Sequence, residues 1–321
     1  MFRSVILAAA RSSRVERIVE TAPVARDVVR RFVAGNGCDD AMRATRELVD
    51  QGLCVSIDHL GEDTLTADQA AAAKDEYLRL LKALADAGLI RPDAGSAPGS
   101  RSAAAATVEV SVKLSALGLL LAEDLAYEHA HAICAAAAAA GSMVTIDMED
   151  HETTDQTLDV LTRLRADFPE TGAVLQAYLR RTEGDCRELA TEGSRVRLCK
   201  GAYAEPESVA FQSAAEVDRS YVRCLNILMS GPGYPMVATH DPRLIAIAED
   251  RAKWFDRPPG QFEFQLLYGV RPDEQLRLAG NGYTVRSYVP YGTRWYAYLM
   301  RRLAERPANL AFFLRALKSR K

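Results

Sequence analysis

One pattern constrains the fold more than any other. From residue 53 onward, short apolar runs, the first of them β-branched, alternate with helical patterns, eight times over. The runs are "LCVSIDHLGE" (53–62), "VEVSVKLSA", "MVTIDMED", "GAVLQAYLR", "RVRLCKGAY", "PMVATHD", "FEFQLLYGV" and "YTVRSYVPYG". Each precedes a helical stretch, such as "DQAAAAKDEYLRLLKALADAG" after the first, "CRELATEG" after the fourth or "FQSAAEVDRSYVRCLNILMS" after the fifth. Strand–helix alternation calls for crossover connections, and therefore for a parallel sheet. Eight such units in ~250 residues meet the requirement of a closed (βα)8 barrel, distorted or regular. A doubly wound open sheet is the alternative. It is disfavoured because the turn after the first strand, "SIDHLGEDT", holds a single glycine where GxGxxG would be needed.

Upstream of the alternation, residues 1–51 read as an N-terminal arm of three short helices. "RIVETAPVARDVVRRFVAG" and "DDAMRATRELVDQG" each space apolar residues helically and end in glycine. Residues 52–321 form the barrel domain. "SAPGSRSAAAA" (96–106) is a low-complexity loop within it.

Composition excludes several function classes. Forty Lys+Arg against 43 Asp+Glu give a net charge of -3, with no concentrated basic patch for nucleic acid. The six cysteines (38, 54, 134, 186, 199, 224) contain no CxxC pair, so they read as reduced thiols and no metal site is expected. The N-terminal apolar run Val5–Ala10 falls far below the ~20 residues of a membrane crossing. A cytoplasmic location is the expectation.

Barrels of this kind do their chemistry at the C-terminal ends of the strands. Those ends carry Asp58 and Glu62, then Lys113, Asp147 with Glu149 just beyond, Gln176, Arg197 with Lys200, Gly201 and Tyr203, Thr239 with His240, Gln265, and Arg286 with Tyr288. Each has a plainer reading. Lys113 could be a solvated strand tip or the ion-pair partner of Asp147, and His240-Asp241-Pro242 could cap the next helix. Taken together, a donor or acid at nearly every strand end points to one site. Charges inside a barrel are costly unless paired or facing a polar site.

The last helical stretch, "VPYGTRWYAYLMRRLAERPANL" (289–310), adds a cationic face. At 3.6 residues per turn, Tyr298 lies one turn before Arg301 and Arg302, and Glu305 one turn after. Leu299, Met300 and Leu303 line the more apolar side. The arginine pair is either a solvated face or a ligand-facing one.

"VSVKLSALG", "TIDMED", "VLQAYLRR", "RLCKGAY", "ATHD", "FEFQLLYGV" and "YVPYGTRWYAYLMRRLAERPAN" together resemble proline dehydrogenase, in its short monofunctional bacterial form. The resemblance runs from about residue 50 to the end. It implies a distorted (βα)8 barrel whose last helix lies over the barrel mouth. It implies FAD-dependent oxidation of L-proline to Δ1-pyrroline-5-carboxylate, with hydride passing to flavin N5 and electrons then going to a membrane quinone. This would be the first step of proline catabolism, with product handed to pyrroline-5-carboxylate dehydrogenase. Peripheral contact with the inner membrane face follows, although no single segment reads as a membrane-binding helix.

Residue by residue, the resemblance assigns Lys113, Asp147, Arg197 and Tyr203 to catalysis. Arg301 and Arg302, aided by Lys113, would grip the substrate carboxylate, since guanidinium groups present a rigid fork to one. Tyr288, Tyr298 and Leu266 would wall the pyrrolidine ring. Gln176, Arg197, Lys200, Gly201, Ala202, Thr239, His240, Gln265 and Glu305 would hold the flavin. Glu62 would gate the site by pairing with Arg301. Tyr288 would also crowd a 4-hydroxyl, which favours proline over hydroxyproline. Two positions depart from the family pattern: Cys199 stands where valine is usual, and His59 replaces an apolar residue in the gate loop. Two rival readings remain: a Schiff-base lyase using Lys113 or Lys200, and a non-catalytic relative that binds proline or flavin.

Overall fold

The computed structural model describes residues 29–62, 64–91 and 106–303, and the backbone of 304–305. The helices expected before residue 29, and most of the 96–106 loop, lie outside the described residues. Helix α1 (Cys38–Asp50) comes first. Strand β1 (Cys54–His59), helix α2 (Ala67–Asp86), β2 (Val108–Val112), α3 (Glu123–Ala139) and β3 (Val144–Ile146) follow. After a 3₁₀ turn at His151–Thr153 come α4 (Thr154–Asp167), β4 (Ala173–Gln176), α5 (Thr182–Leu189), β5 (Arg195–Cys199) and α6 (Ala214–Ser230). The chain ends with β6 (Tyr234–Ala238), α7 (Pro242–Trp254), β7 (Glu263–Leu267), α8 (Pro272–Gly280), β8 (Thr284–Tyr291) and α9 (Tyr296–Glu305).

All eight strands are parallel, in the spatial order β3-β2-β1-β8-β7-β6-β5-β4. The seam between β3 and β4 nearly closes the ring. Thr145 bridges Gly172, Ile146 N donates to Gly172 O at 2.9 Å, and Gly172 N donates to Val144 O at 2.8 Å. A Cβ on Gly172 would come within 2.5 Å of Thr145 Oγ1, so only glycine lets the two segments approach.

Strand alternation sorts the side chains into two environments. Val108, Val110, Val112, Val196, Leu198, Phe264, Leu266 and Val285 turn outward into the helix-lined core. Glu109, Ser111, Lys113, Arg195, Arg197, Glu263, Gln265 and Arg286 turn inward, where their hydrogen bonds cross the barrel. The interior is therefore polar, in contrast to the branched apolar filling usual in such barrels.

Its lower layer is wholly buried. Arg195 Nη2 donates to Glu109 Oε2 at 2.6 Å, and Arg286 Nε donates to Glu263 Oε1 at 2.7 Å. Burial would raise the Glu109 pKa, but Arg286, Arg195 and Arg197 bring it down to about 2. Arg286, expected among the strand-end residues, belongs to this floor.

Local boundaries differ from the sequence reading in two places. Helix α5 runs over Thr182–Leu189 instead of 186–193. Thr182 Oγ1 donates to Gln176 O at 2.6 Å, and Arg181 pairs with Asp185 one turn on, so the helix begins earlier. β3 stops at Ile146; Asp147 N still donates to Val112 O at 2.8 Å, and Met148–Asp150 continue without regular structure. Among the described residues no helix is long and apolar enough to cross a membrane.

Helix α9 crosses the mouth. Tyr296, Tyr298, Leu299, Met300 and Leu303 are buried against Leu60 of the β1–α2 loop and against Val29, Phe32 and Val33. Pro290 O accepts from Ala34 N at 2.9 Å, which fixes the residue 29–35 segment along the end of β8. The apolar side of α9 and Tyr298 are thus covered, and the Arg301 side chain, 11% exposed and paired with Glu62, is not a solvated one either.

Candidate active site

Three strand ends converge on the Lys113 ammonium. Lys113 Nζ donates to Asp58 Oδ2 at 2.6 Å, to Tyr288 OH at 3.1 Å and to Asp147 Oδ2 at 3.2 Å. Tyr288 OH in turn donates to Asp147 Oδ2 at 2.7 Å. Burial disfavours the Lys113 charge, yet Asp58, the Tyr288 oxygen and Asp147 outweigh it and hold its pKa well above the ordinary value. Asp147 shows the complementary effect. Burial acts to raise its pKa, and Lys113 and Arg197 bring it below the usual range. Asp58, enclosed more completely, is pushed up by burial despite Lys113.

Arg197 sits one layer deeper and radiates across the barrel. It donates to Asp147 Oδ1 at 2.7 Å, Ser111 Oγ at 2.8 Å, Ser56 Oγ at 3.2 Å and Glu109 Oε1 at 3.3 Å, while its Nε bonds Gln265 Oε1. Its charge is 5.3 Å from the Tyr288 ring centroid. Asp147 is therefore shared by two cations and a phenol, all nearly removed from water. Such a network is stable only while fully satisfied.

Across the mouth, Arg301 Nη1 donates to Glu62 Oε2 at 2.8 Å and its other terminal nitrogen meets the second carboxylate oxygen. Burial opposes both charges, but Arg301 and then Lys113 lower the Glu62 pKa, and Glu62 raises that of Arg301. The Arg301 guanidinium lies 5.3 Å from the Tyr203 ring centroid, and that of Arg302 lies 5.1 Å from the Tyr298 ring.

The remaining strand ends form a rim of donors. Gln176 Nε2 donates to Glu149 O at 2.6 Å. Lys200 Nζ lies between Asp218 (2.6 Å) and Asp241 (3.0 Å). Thr239 is buried, and its Oγ1 accepts from Asp241 N at 3.2 Å. His240 Nε2 accepts from Leu267 N at 2.9 Å. Gly201, at φ +102°, turns the chain after β5, with Ala202 half-buried beside it. Glu305 lies outside the residues whose side chains are described.

Leu266 requires a correction. It was expected at the substrate, but it lies on the outer face of β7, opposite Ser287 in the β7–β8 register. Leu267, opposite Tyr288 in the register, shares the inward parity of Glu263 and Gln265.

Two carboxylates that the sequence places at strand ends without a role are central to the network. Asp58, noted only as a strand-end acid, is the nearest partner of Lys113. Glu149 accepts from Ser115 N at 2.9 Å and Ser115 Oγ at 2.5 Å, and burial and then Glu62 raise its pKa to about 7. Strand parity places Asp58 inside with Ser56, a signal the sequence carries.

Comparison with known proteins agrees with this geometry. Residues 41–315 match the family model described as "Proline dehydrogenase". The chain is similar to "Proline dehydrogenase 1" of Bacillus subtilis, 38% identical over 288 residues, which cover 90% of each chain. It is similar to "Proline dehydrogenase" of Deinococcus radiodurans, 36% identical over 99% of this chain and 98% of that one. Among solved structures, proline utilization A (PutA) from Bdellovibrio bacteriovorus, inactivated by N-propargylglycine, superposes with a TM-score of 0.76 at 26% identity. That match covers 87% of this chain and 32% of the other, so the chain spans about a third of that protein. With a family match over most of its length and relatives of its own size, the chain belongs to the proline dehydrogenase family.

Proposed function

We propose that the protein oxidises L-proline to Δ1-pyrroline-5-carboxylate with FAD as its cofactor, and that a quinone receives the electrons. One observation carries this reading: a helix bearing tandem arginines faces a buried Lys113–Asp147–Arg197 network across the barrel mouth.

The residues present suit a flavin dinucleotide. Lys200 and Arg197 are cations for a polyanion and an electron-accepting ring. Gln176, Gln265, Thr239 and His240 supply amide, hydroxyl and imidazole groups at adjacent strand ends. The bare turn Gly201-Ala202 exposes backbone beside them. When bound, the FAD supplies the acceptor for the hydride leaving proline C5.

The chain's own residues account for the rest. Arg301 and Arg302 bind the carboxylate. Glu62 occupies both terminal nitrogens of Arg301, yet a guanidinium has five N–H donors and can serve a second carboxylate. Tyr288, Tyr298 and Tyr203 wall the ring, and α9 keeps water out. The Asp147 contact holds the Tyr288 phenol in one orientation, where it crowds a 4-hydroxyl. Fixing the substrate in this way supplies a large part of the acceleration. Lys113 is held as an ammonium, so it orders Asp58, Asp147 and Tyr288 and does not take the amine proton.

The same charge state weighs against the lyase. A Schiff base needs a neutral amine, whereas Asp58 and Asp147 keep Lys113 charged, and Lys200 is ion-paired to Asp218 and Asp241. The absorbance spectrum of the purified protein tests the proposal. A flavin spectrum that bleaches anaerobically on adding proline supports it; a colourless protein that cannot be reconstituted with FAD overturns it.

A further inference from the structure

Glu205, in the loop after β5, has a carboxylate only 4% exposed that none of the steps above employs. Three groups from two other loops converge on it. His151 N donates to Oε1 at 3.1 Å, His151 Nδ1 meets Oε2, and Tyr178 OH donates to Oε1 at 3.2 Å. His151 begins the turn after β3, and Tyr178 follows β4. One buried carboxylate therefore joins three consecutive loops at the barrel mouth. Leaving such a group without its donors is costly.

The tie leads to the site through Tyr178. Its ring lies so close to Gly201 that a Cβ there would come within 2.2 Å of it. Its backbone N donates to Lys200 O at 2.9 Å, and its carbonyl accepts from Phe211 N at 2.8 Å. Tyr203 packs on the small cluster formed by Tyr178, Leu179, Ala210 and Val217. Tyr203 is also the ring beneath the Arg301 guanidinium.

We propose that Glu205 is a positioning residue, which locks Tyr203 under Arg301 by anchoring the loop after β5 to His151 and Tyr178. The inference rests on the reading of Arg301 as a substrate-carboxylate ligand. Its effect belongs to substrate binding and lies apart from the hydride-transfer chemistry, so it reads out in KM more than in kcat.

The test is a double-mutant cycle in the full-length flavoprotein. Glu205→Ala should raise the proline KM by about fivefold or more, with a smaller change in kcat and unaltered flavin content. Glu205→Gln, which keeps an acceptor for His151 N and Tyr178 OH, should recover most of the loss. In a Tyr203→Ala background, Glu205→Ala should add little. Should Glu205→Ala fail to fold, Tyr178→Phe removes one donor and enters the same cycle. An unchanged KM in Glu205→Ala while Tyr203→Ala raises it, or fully additive effects, would overturn the inference alone. An unchanged KM in Tyr203→Ala would overturn the substrate-wall role of Tyr203 and the inference with it.

Discussion

The Tyr288 phenol donates to Asp147 at 2.7 Å, and that one bond ties an aromatic ring to the Lys113–Arg197 charge network. Tyr288 therefore has two separable properties, its bulk and its hydroxyl. Tyr288→Phe keeps the bulk and removes a bond to a buried carboxylate. Its kcat/KM for proline should fall by about one to two orders of magnitude, as expected for a charge-assisted bond of about 1.5–3 kcal/mol. Tyr288→Ser should narrow the gap between proline and 4-hydroxyproline. Steady-state kinetics on both substrates decide; an unchanged substrate ratio in the serine variant refutes the crowding role.

Arg301→Met and Arg302→Met should each raise the proline KM by about two orders of magnitude, in line with about 2–3 kcal/mol for a charge-assisted contact. The two are not equivalent. Removing Arg301 also leaves the Glu62 carboxylate half-buried without its ion-pair partner, so Arg301→Met should lower the melting temperature more than Arg302→Met does. Calorimetry of the two variants compares them directly, and equal losses would remove Glu62 from the account.

Glu149 gives a pH signature. Burial and then Glu62 raise its pKa from an ordinary 4.5 to about 7. An acid with a raised folded pKa costs stability as it ionises. The cost is absent below the unfolded value and complete above the folded one. At about 1.4 kcal/mol per pKa unit, the full cost is about 3 kcal/mol. Glu149→Gln should therefore stabilise the protein at pH 8.5 and do much less at pH 5. Denaturant melts at the two pH values measure this, and a pH-independent difference would contradict it.

The opposite sign applies to Glu109. Arg286, Arg195 and Arg197 depress its pKa to about 2 against burial. Its contribution is present above its ordinary 4.5 and is lost as pH falls toward 2. Glu109→Gln leaves buried arginines short of charge and should cost about 3–5 kcal/mol at neutral pH. That loss should shrink in acid; urea melts at pH 7 and pH 3 would show it.

The barrel was legible because each short apolar strand is followed by a helical stretch. The end-of-strand polar residues were legible because parallel strands deliver them to one rim. Parity within a strand carries further information. Alternation alone sends Leu266 to the helices and Leu267 to the barrel, and it sets Asp58 inside. Side-chain pairing across distant strands was beyond reach. Arg197 and Ser56 are separated by 141 residues, yet they share a hydrogen bond because barrel closure brings β5 and β1 across the same interior. The meeting of His151, Tyr178 and Glu205 is of the same kind, since loop ends converge only once every strand length is fixed.

The buried ion-pair layer of Arg195, Glu109, Arg286 and Glu263 has a kinetic consequence. It stoppers the barrel from below and leaves the site blind-ended. In the proposed reaction, reductant, product and final oxidant would then share the open end of the barrel beneath α9, so the exit of one guest would condition the entry of the next. Turnover would then depend on how often that opening clears, and on the proposed reading of Arg301 its ion pair with Glu62 would act on timing as well as on binding.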